Sequence, residues 1–205
     1  MECEYQEISR VNEYKYLGQT VKMNDNTKDE VSTRIKAGWS SFGRYRGILG
    51  NKNIPMALRR KEFDQCVLPT ITYGAETWTT TKLIEHKLRT AQRAMERQML
   101  HISIRDRIKC TEIRKKTGVR DIIRTIKQAK WRWAGHTARR NDNRWTTRIM
   151  DWQPRTGKRK RGRQRRRWRD DIRVYAGTTW TRTARNRNEW HLHEEGYILH
   201  WMNTA

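Results

Sequence analysis

The residues best suited to chemistry form a basic run, 155–169, in which ten of the 15 positions are Lys or Arg. The planar guanidinium of arginine matches phosphate geometry, and each neutralised phosphate releases condensed counterions. The run therefore predicts sequence-independent binding of nucleic acid, with a nuclear localisation signal or an inert solvated tail as the alternatives. Its cations are Arg155, Lys158, Arg159, Lys160, Arg161, Arg163, Arg165, Arg166, Arg167 and Arg169.

A second candidate site interleaves aromatic and cationic residues over 130–140. Trp133 fits the buried face of the predicted helix and Trp131 does not, so we expect the Trp131 indole to stack on a base. The alternative is that both tryptophans are structural. The neighbouring arginines are expected to contact phosphates: Arg132, Arg139 and Arg140.

Patterns for metal binding or catalysis are weak. A zinc site needs Cys and His ligands in close pairs, whereas the cysteines are far apart, at Cys3, Cys66 and Cys110. His136 stands alone in a helical segment, where a structural role is expected. Asp170 and Asp171 follow an aromatic residue, as in polymerase palms, but they also follow an arginine cluster and open a helix, which favours capping and pairing with Arg. We predict binding without bond making, and no catalytic residue, metal or cofactor.

Apolar residues at helical spacing predict the elements that carry these side chains. The predicted helices are 28–49, 55–68, 82–101, a short one around 111–116, a long one from 119 through Trp133, and final ones at 168–175 and 180–201. Residues 4–10 and 14–22 are predicted as two strands of a hairpin. A lone hairpin is only marginally stable, so we expect further chain before Met1. Residues 71–79 fit either strand or loop.

The net charge is +24 and the sequence pI is about 10.7. Residues 119–205 hold 23 basic and eight acidic residues, a charge of +15, and eight of the ten tryptophans. Flat apolar surfaces among phosphate-binding cations suit single strands or irregular RNA. The odd number of cysteines and the lack of a signal peptide or membrane span predict an intracellular, reducing location, nuclear or cytoplasmic.

Five sequence blocks, in this order, resemble the C-terminal region of reverse transcriptases from non-LTR retrotransposons (LINE elements), close to the RTE-type lineage. Each block alone is weak, but the ordered set is specific. The blocks are Tyr16-Leu17-Gly18; Val67-Leu68-Pro69 with 73–78; residues 93–100; residues 131–136 with Arg139; and Gly162-Arg163 with Arg167-Trp168 and Asp170-Asp171-Ile172. Gln164 departs from the family, where proline is expected.

The resemblance implies a fold that is mainly α, with a short N-terminal β-hairpin before a helical thumb-like bundle and a basic helical extension. Residues 1–26 would be the primer-grip-like hairpin at the end of a palm, with Tyr16, Leu17 and Gly18 as its primer-grip positions. The thumb-like domain would span 27–118. Residues 119–205 would be the basic, Trp-rich C-terminal extension, with a flexible segment at 153–166.

The function that the resemblance implies is gripping the template–primer within an endonuclease–reverse transcriptase, an RNA-directed DNA polymerase. The Mg²⁺-binding aspartates of the palm are not present, so the chain is expected to be inactive alone. Its expected partners are RNA, DNA or an RNA–DNA hybrid, and no membrane. The alternatives are a transposon-derived host interaction or localisation protein, which would engage a nuclear import receptor, and a non-functional pseudogene fragment.

Overall fold

The computed structural model of the chain describes residues 11, 13–16, 19–22, 27–140, 146 and 167–203. Helices dominate these residues. They are α1 (Thr27–Arg44), α2 (Arg46–Leu49), α3 (Met56–Glu62), α4 (Leu68–Thr72), α5 (Lys82–Leu100), α6 (Cys110–Thr117), α7 (Ile122–Ala138), α8 (Asp170–Ala176), α9 (Trp180–Arg185), α10 (Arg187–Leu192) and α11 (Glu194–Asn203). In the described part of the chain, no helix combines the length and the apolar character needed to cross a bilayer.

The predicted N-terminal hairpin of strands 4–10 and 14–22 is wrong. The segment predicted as one strand, 14–22, instead contains parts of two. Here β1 (Glu13–Tyr16) pairs antiparallel with β2 (Gln19–Lys22). Gly18 lies between the two strands in sequence, and glycine is depleted in strand interiors. The first predicted strand lies outside the described residues. The helical character of the prediction agrees with the structure.

The long helix α5 begins and ends as its sequence predicts. The side-chain oxygen of Thr81 accepts a hydrogen bond from the Ile84 amide at 3.4 Å and caps the N-terminus. His101 ends the helix in the left-handed conformation, with φ at 56°. The apolar stripe of the helix, which includes Leu88 and Met95, is fully buried. Spacing alone therefore located this helix to within one residue of the predicted bounds.

The second predicted helix continues past its expected end at residue 68. A π-helical turn, Phe63–Val67, joins α3 to α4, and the chain stays helical through Pro69 as far as Thr72. Pro69 follows the π-helical turn directly, where the regular i→i−4 hydrogen-bond pattern is already interrupted, so its missing N–H breaks no α-helical ladder. Residues 71–79 accordingly contain the end of α4 and a 3₁₀ turn at Ala75–Thr77, and no strand.

Two apolar clusters form the interior, and α7 contributes to both. The first cluster includes Ile122, Ile123 and Ile126 from the start of α7 together with residues of α1 to α5. The second is rich in aromatic residues and is built from the end of α7 and the C-terminal helices. Its buried members are Trp131, Ala134, Ile172, Trp180, Ala184, Trp190, Tyr197 and Ile198.

Candidate nucleic-acid interface on α7 and the C-terminal helices

Trp131 lies in the second cluster, and the structure contradicts the prediction that its indole stacks on a base. The side chain has no exposed surface. Its ring lies face to face with that of Trp190, with centroids 3.7 Å apart and planes within 1° of parallel. Tyr197 stacks on it as well, with its ring centroid at 4.6 Å. A base would therefore have to displace a core residue to reach this indole.

The two stacked indoles also exchange hydrogen bonds. Nε1 of Trp131 donates to the main-chain oxygen of Trp190 at 2.9 Å, and Nε1 of Trp190 donates to that of Trp131 at 3.0 Å. Gly135 makes this arrangement possible, because a Cβ at that position would lie 2.4 Å from Nε1 of Trp190. The Trp131-to-Gly135 block therefore has a packing role, in which it brings α10 against α7.

Two lysines of α7 are buried and form ion pairs with other helices. Nζ of Lys130 lies 2.9 Å from Oδ1 of Asp171. Nζ of Lys127 lies 3.1 Å from Oε1 of Glu85 and donates to Oγ1 of Thr80 at 2.9 Å. Two ammonium groups thus face two carboxylates, so their charges balance, which is the condition for keeping charged groups in a core. The set ties α7 to the start of α5 and to α8.

The two aspartates that resemble a polymerase motif form hydrogen bonds and an ion pair at the start of α8, but no side-chain hydrogen bond caps that helix, so the predicted capping is not observed. Oδ2 of Asp170 accepts a hydrogen bond from the Arg167 amide at 2.6 Å at the start of α8. Asp171 is buried against Lys130, and the hydroxyl of Tyr197 donates to its Oδ2 at 3.2 Å. Its partners are therefore lysine and tyrosine, whereas pairing with arginine was expected.

An open cleft of about 400 Å³ lies between α7 and α10. Guanidinium and imidazole groups line it from both helices, opposite one carboxylate. The lining residues are Arg132 and His136 from α7, Arg139 directly after its end, Arg187, Trp190 and His191 from α10, and Glu194 at the start of α11. Three arginines against one glutamate make the cleft positive, so it favours an anionic ligand.

The carboxylate of Glu194 forms an ion pair with Arg132. Nη2 of Arg132 lies 2.9 Å from Oε1 of Glu194, and its Nε lies 3.1 Å from Oε2. Burial opposes ionisation of Glu194, but hydrogen bonds from Arg132 and Gln128 outweigh burial and lower the pKa of this carboxyl. The pair is therefore charged and locally neutral, and the positive field of the cleft comes from the remaining cations.

Arg139 and Arg187 are those remaining cations. Nη1 of Arg139 donates to the main-chain oxygen of Ala184 at 2.8 Å. Within the described ranges, no carboxylate lies within salt-bridge distance of either arginine. Burial, and then the positive charge of Arg187, lower the pKa of Arg139. Two like charges that line the same cleft are an arrangement that an anion stabilises.

The other predicted site residues are only partly brought together. Arg140 is exposed one residue beyond Arg139, and Arg167 and Arg169 are half-buried at the start of α8. Tyr16 is the last residue of β1, whereas Leu17 and Gly18 lie outside the described residues. The same holds for the segment 153–166 and for eight predicted phosphate ligands: Arg155, Lys158, Arg159, Lys160, Arg161, Arg163, Arg165 and Arg166.

The half of the cleft that α10 supplies was not predicted from the sequence. The spacing nevertheless carried a signal, because Arg187, Trp190, His191 and Glu194 recur at steps of three, one and three residues. Residues at such steps share one helical face. Arg132, His136 and Arg139 are spaced in the same way on α7. The presence of two cationic helix faces, each next to a tryptophan, was the sequence pattern from which the cleft could have been predicted.

No protein-family model and no solved structure matches the chain. The fold and cleft define a mainly helical, strongly basic protein with an aromatic second core. A Caenorhabditis elegans protein whose name describes it as transposon-derived is 34% identical over 202 residues, which cover 90% of this chain and 70% of the C. elegans protein. The chain belongs to the family of this transposon-derived protein.

Proposed function

We propose that the chain is an RNA- and RNA–DNA-hybrid-binding part of a non-LTR retrotransposon reverse transcriptase, where it holds template and primer. The observation that carries the proposal is the cleft between α7 and α10, in which three guanidinium groups face one carboxylate, in a chain of net charge +24. The transposon-derived family and the five ordered sequence blocks support the same assignment.

Charge provides the physical reason for a polyanionic partner. Self-repulsion at +24 disfavours a compact chain, and a nucleic acid relieves that repulsion while its counterions are released. Because Trp131 and Trp190 are buried, the proposed contacts are made by exposed cations and not by stacking on these indoles. Arg140 and the basic run 155–169 would extend the contact surface beyond the cleft.

The proposal is tested by equilibrium binding to an RNA–DNA hybrid, single-stranded RNA and duplex DNA between about 50 and 300 mM salt. Each duplex phosphate contact is expected to contribute about 0.9 log units of affinity per log unit of salt. A preference for the hybrid or RNA that persists at high salt would support the proposal. Equal and fully salt-labile binding to all three would contradict it.

A matched pair of variants separates the basic run from overall charge. The first variant replaces the eight cations of 155–166 with glutamine, and the second replaces eight exposed cations between residues 36 and 116 with glutamine. The control positions are Lys36, Arg44, Lys52, Lys61, Lys87, Arg105, Arg107 and Lys116. Loss of RNA affinity is expected mainly in the first variant. Unchanged affinity there would remove the basic run from the interface.

Binding to a nuclear import receptor without binding to RNA would favour the localisation role instead. The same eight-residue variant tests it, because an import receptor reads short clusters of Lys and Arg. Suppose that the wild type does not bind RNA and that the variant no longer accumulates in the nucleus. The basic run would then serve nuclear targeting, and the proposed function would be wrong.

A further inference from the structure

We infer that the cleft between α7 and α10 is a discrete phosphate-binding site, with the guanidinium groups of Arg139 and Arg187 as its ligands. The inference rests on the proposed function, since the phosphate would belong to a nucleic acid. It goes further because it assigns one phosphate to a defined pair of side chains. Binding by a polycationic tail alone would involve no defined pair of ligands.

Charge balance identifies the two ligands. The carboxylate of Glu194 is bidentate on Arg132, so these two residues contribute little net field. Arg139 and Arg187 leave two positive charges at the same cleft, and within the described residues no acid offsets them. A phosphate diester would supply one negative charge and a monoester up to two, so either would relieve the repulsion between the guanidinium groups.

Arg139 is fixed before any ligand arrives. Its Nη1 is tied to the Ala184 oxygen at 2.8 Å, and an ideal Cβ at Gly135 would lie 3.0 Å from the same atom. The guanidinium therefore lies close against the glycine, where a larger residue would push it away. A guanidinium carries five N–H donors, and one of them is used here. The others remain for an anion, at a low cost in side-chain entropy.

The stacked tryptophans hold the two ligands together. Trp190 lies on α10 three residues after Arg187, and Trp131 lies on α7 eight residues before Arg139. Because the two indoles are stacked and doubly hydrogen-bonded, the helices that carry the arginines have a fixed separation. His136 and His191 line the same cleft and add ring N–H donors.

The phosphate has two sources with the same chemistry, namely an internal phosphodiester or a terminal phosphate. An open cleft accepts both in principle, so the experiment includes RNA oligonucleotides of one sequence with and without a 5′-phosphate. A phosphodiester site gives equal affinities for the two oligonucleotides. A site for a chain end gives tighter binding of the phosphorylated oligonucleotide, and this preference disappears in Arg187→Gln.

The main test compares two double variants of equal net charge. Arg139→Gln with Arg187→Gln removes the cleft ligands, whereas Arg173→Gln with Arg182→Gln removes two exposed arginines of α8 and α9. Charge-assisted hydrogen bonds to a phosphate predict a loss in RNA affinity of about 10- to 100-fold for the first variant. A loss of at most about threefold is expected for the second, from net charge alone. Equal losses in both variants would overturn the inference.

A second readout does not depend on RNA. Inorganic phosphate is titrated into the ¹⁵N-labelled full chain while the arginine Nε resonances are followed by NMR. A saturable shift of the Arg139 resonance is expected, and it should be lost in Arg187→Gln, an exposed single substitution that leaves the core intact. No saturable shift in the wild type would overturn the inference.

The two readouts separate the inference from the proposed function. Saturable phosphate binding in a chain that does not bind RNA would leave the site in place and remove the proposed function. RNA binding that both double variants weaken equally, without saturable phosphate binding, would leave the proposed function in place and remove the site.

Discussion

Trp131 and Trp190 are 59 residues apart in sequence, yet their indoles are parallel at a centroid distance of 3.7 Å and each donates a hydrogen bond to the main chain of the other. This pair joins α7 to α10 through two buried side chains. The same two helices supply the arginines of the cleft. The aromatic core therefore determines the geometry of the candidate site, and substitutions in that core are expected to change both stability and binding.

Gly135→Ala is expected to destabilise the chain by about 1–3 kcal/mol, because the core there is filled. The added Cβ would lie 2.4 Å from Nε1 and 2.5 Å from Cδ1 of Trp190, and this ring is rigid and stacked on its other neighbours. The measurement is urea-induced unfolding followed by circular dichroism.

The control for this prediction is the same substitution at Gly43, in helix α1, where a Cβ would meet no atom within 4 Å. Alanine has the higher helix propensity, so Gly43→Ala is expected to be neutral or stabilising by up to about 1 kcal/mol. A Gly135→Ala variant as stable as Gly43→Ala would mean that the two helices do not approach each other this closely.

Asp171→Asn is expected to cost about 3–5 kcal/mol, because it leaves two buried ammonium groups facing the single carboxylate of Glu85. Adding Lys130→Met to this variant should restore part of the loss, since the charges then balance again. Thermal and urea unfolding of the single and double variants measure both effects.

An exposed ion pair provides the comparison for the Asp171 prediction. Glu195 lies 2.6 Å from Arg124, but both side chains are about half exposed, at 54% and 43%. Solvent screening limits such a pair, so Glu195→Gln is expected to cost less than about 1 kcal/mol. Similar losses for Asp171→Asn and Glu195→Gln would contradict the burial of the lysine pair.

Apolar spacing predicted the long helices well because each has one broad buried face. Helix α5 is the clearest case, since both its cap at Thr81 and its stripe through Leu88 and Met95 can be read from the sequence. The same method placed α7 correctly but assigned the wrong face to its second half. There the buried stripe runs through Lys127, Lys130 and Trp131, and lysine is ordinarily read as solvent-facing.

The residues that determine which face of α7 is buried lie far from this helix in the sequence. Lys130 is buried because it pairs with Asp171, which lies 41 residues later in the sequence. Trp131 is buried because it packs against Trp190, which lies 59 residues later. The spacing of apolar residues within one helix carries no information about such distant partners. Arg132 and Arg139 were predicted from the mixture of aromatic and cationic residues over 130–140, but such a local pattern could not place Arg187 beside them.

Asp121→Asn is expected to lower stability by about 1.5–3 kcal/mol at neutral pH, because asparagine can still cap α7 but loses the charged hydrogen bond with Arg114. Oδ1 of Asp121 accepts hydrogen bonds from the amides of Ile123 at 2.8 Å and Arg124 at 2.9 Å, and Oδ2 pairs with Arg114. Burial opposes ionisation of this carboxyl, but the Arg124 amide and then Arg114 outweigh burial and lower its pKa.

The sign of the pH dependence follows from this lowered pKa. A carboxyl whose folded pKa lies below its unfolded value of about 3.9 stabilises the fold above that value and loses the contribution as the pH falls through the folded pKa. The stability gap between wild type and Asp121→Asn should therefore be constant from about pH 7 to 5 and narrow below about pH 4. A gap that widens in acid would contradict the assignment.

Glu194→Gln is expected to strengthen RNA binding at fixed salt by about two- to tenfold, because it removes the one carboxylate of the cleft and releases Arg132 for a phosphate. Glu195→Gln adds the same net charge one residue away but outside the cleft lining, so it should change the affinity by less than about twofold. Hydrogen bonds lower the pKa of Glu194, so its carboxylate is ionised at pH 7, where the two substitutions are compared. Fluorescence anisotropy with a labelled RNA at pH 7 measures both affinities. Equal gains from the two substitutions would show that RNA responds to net charge alone and that the cleft does not contact it.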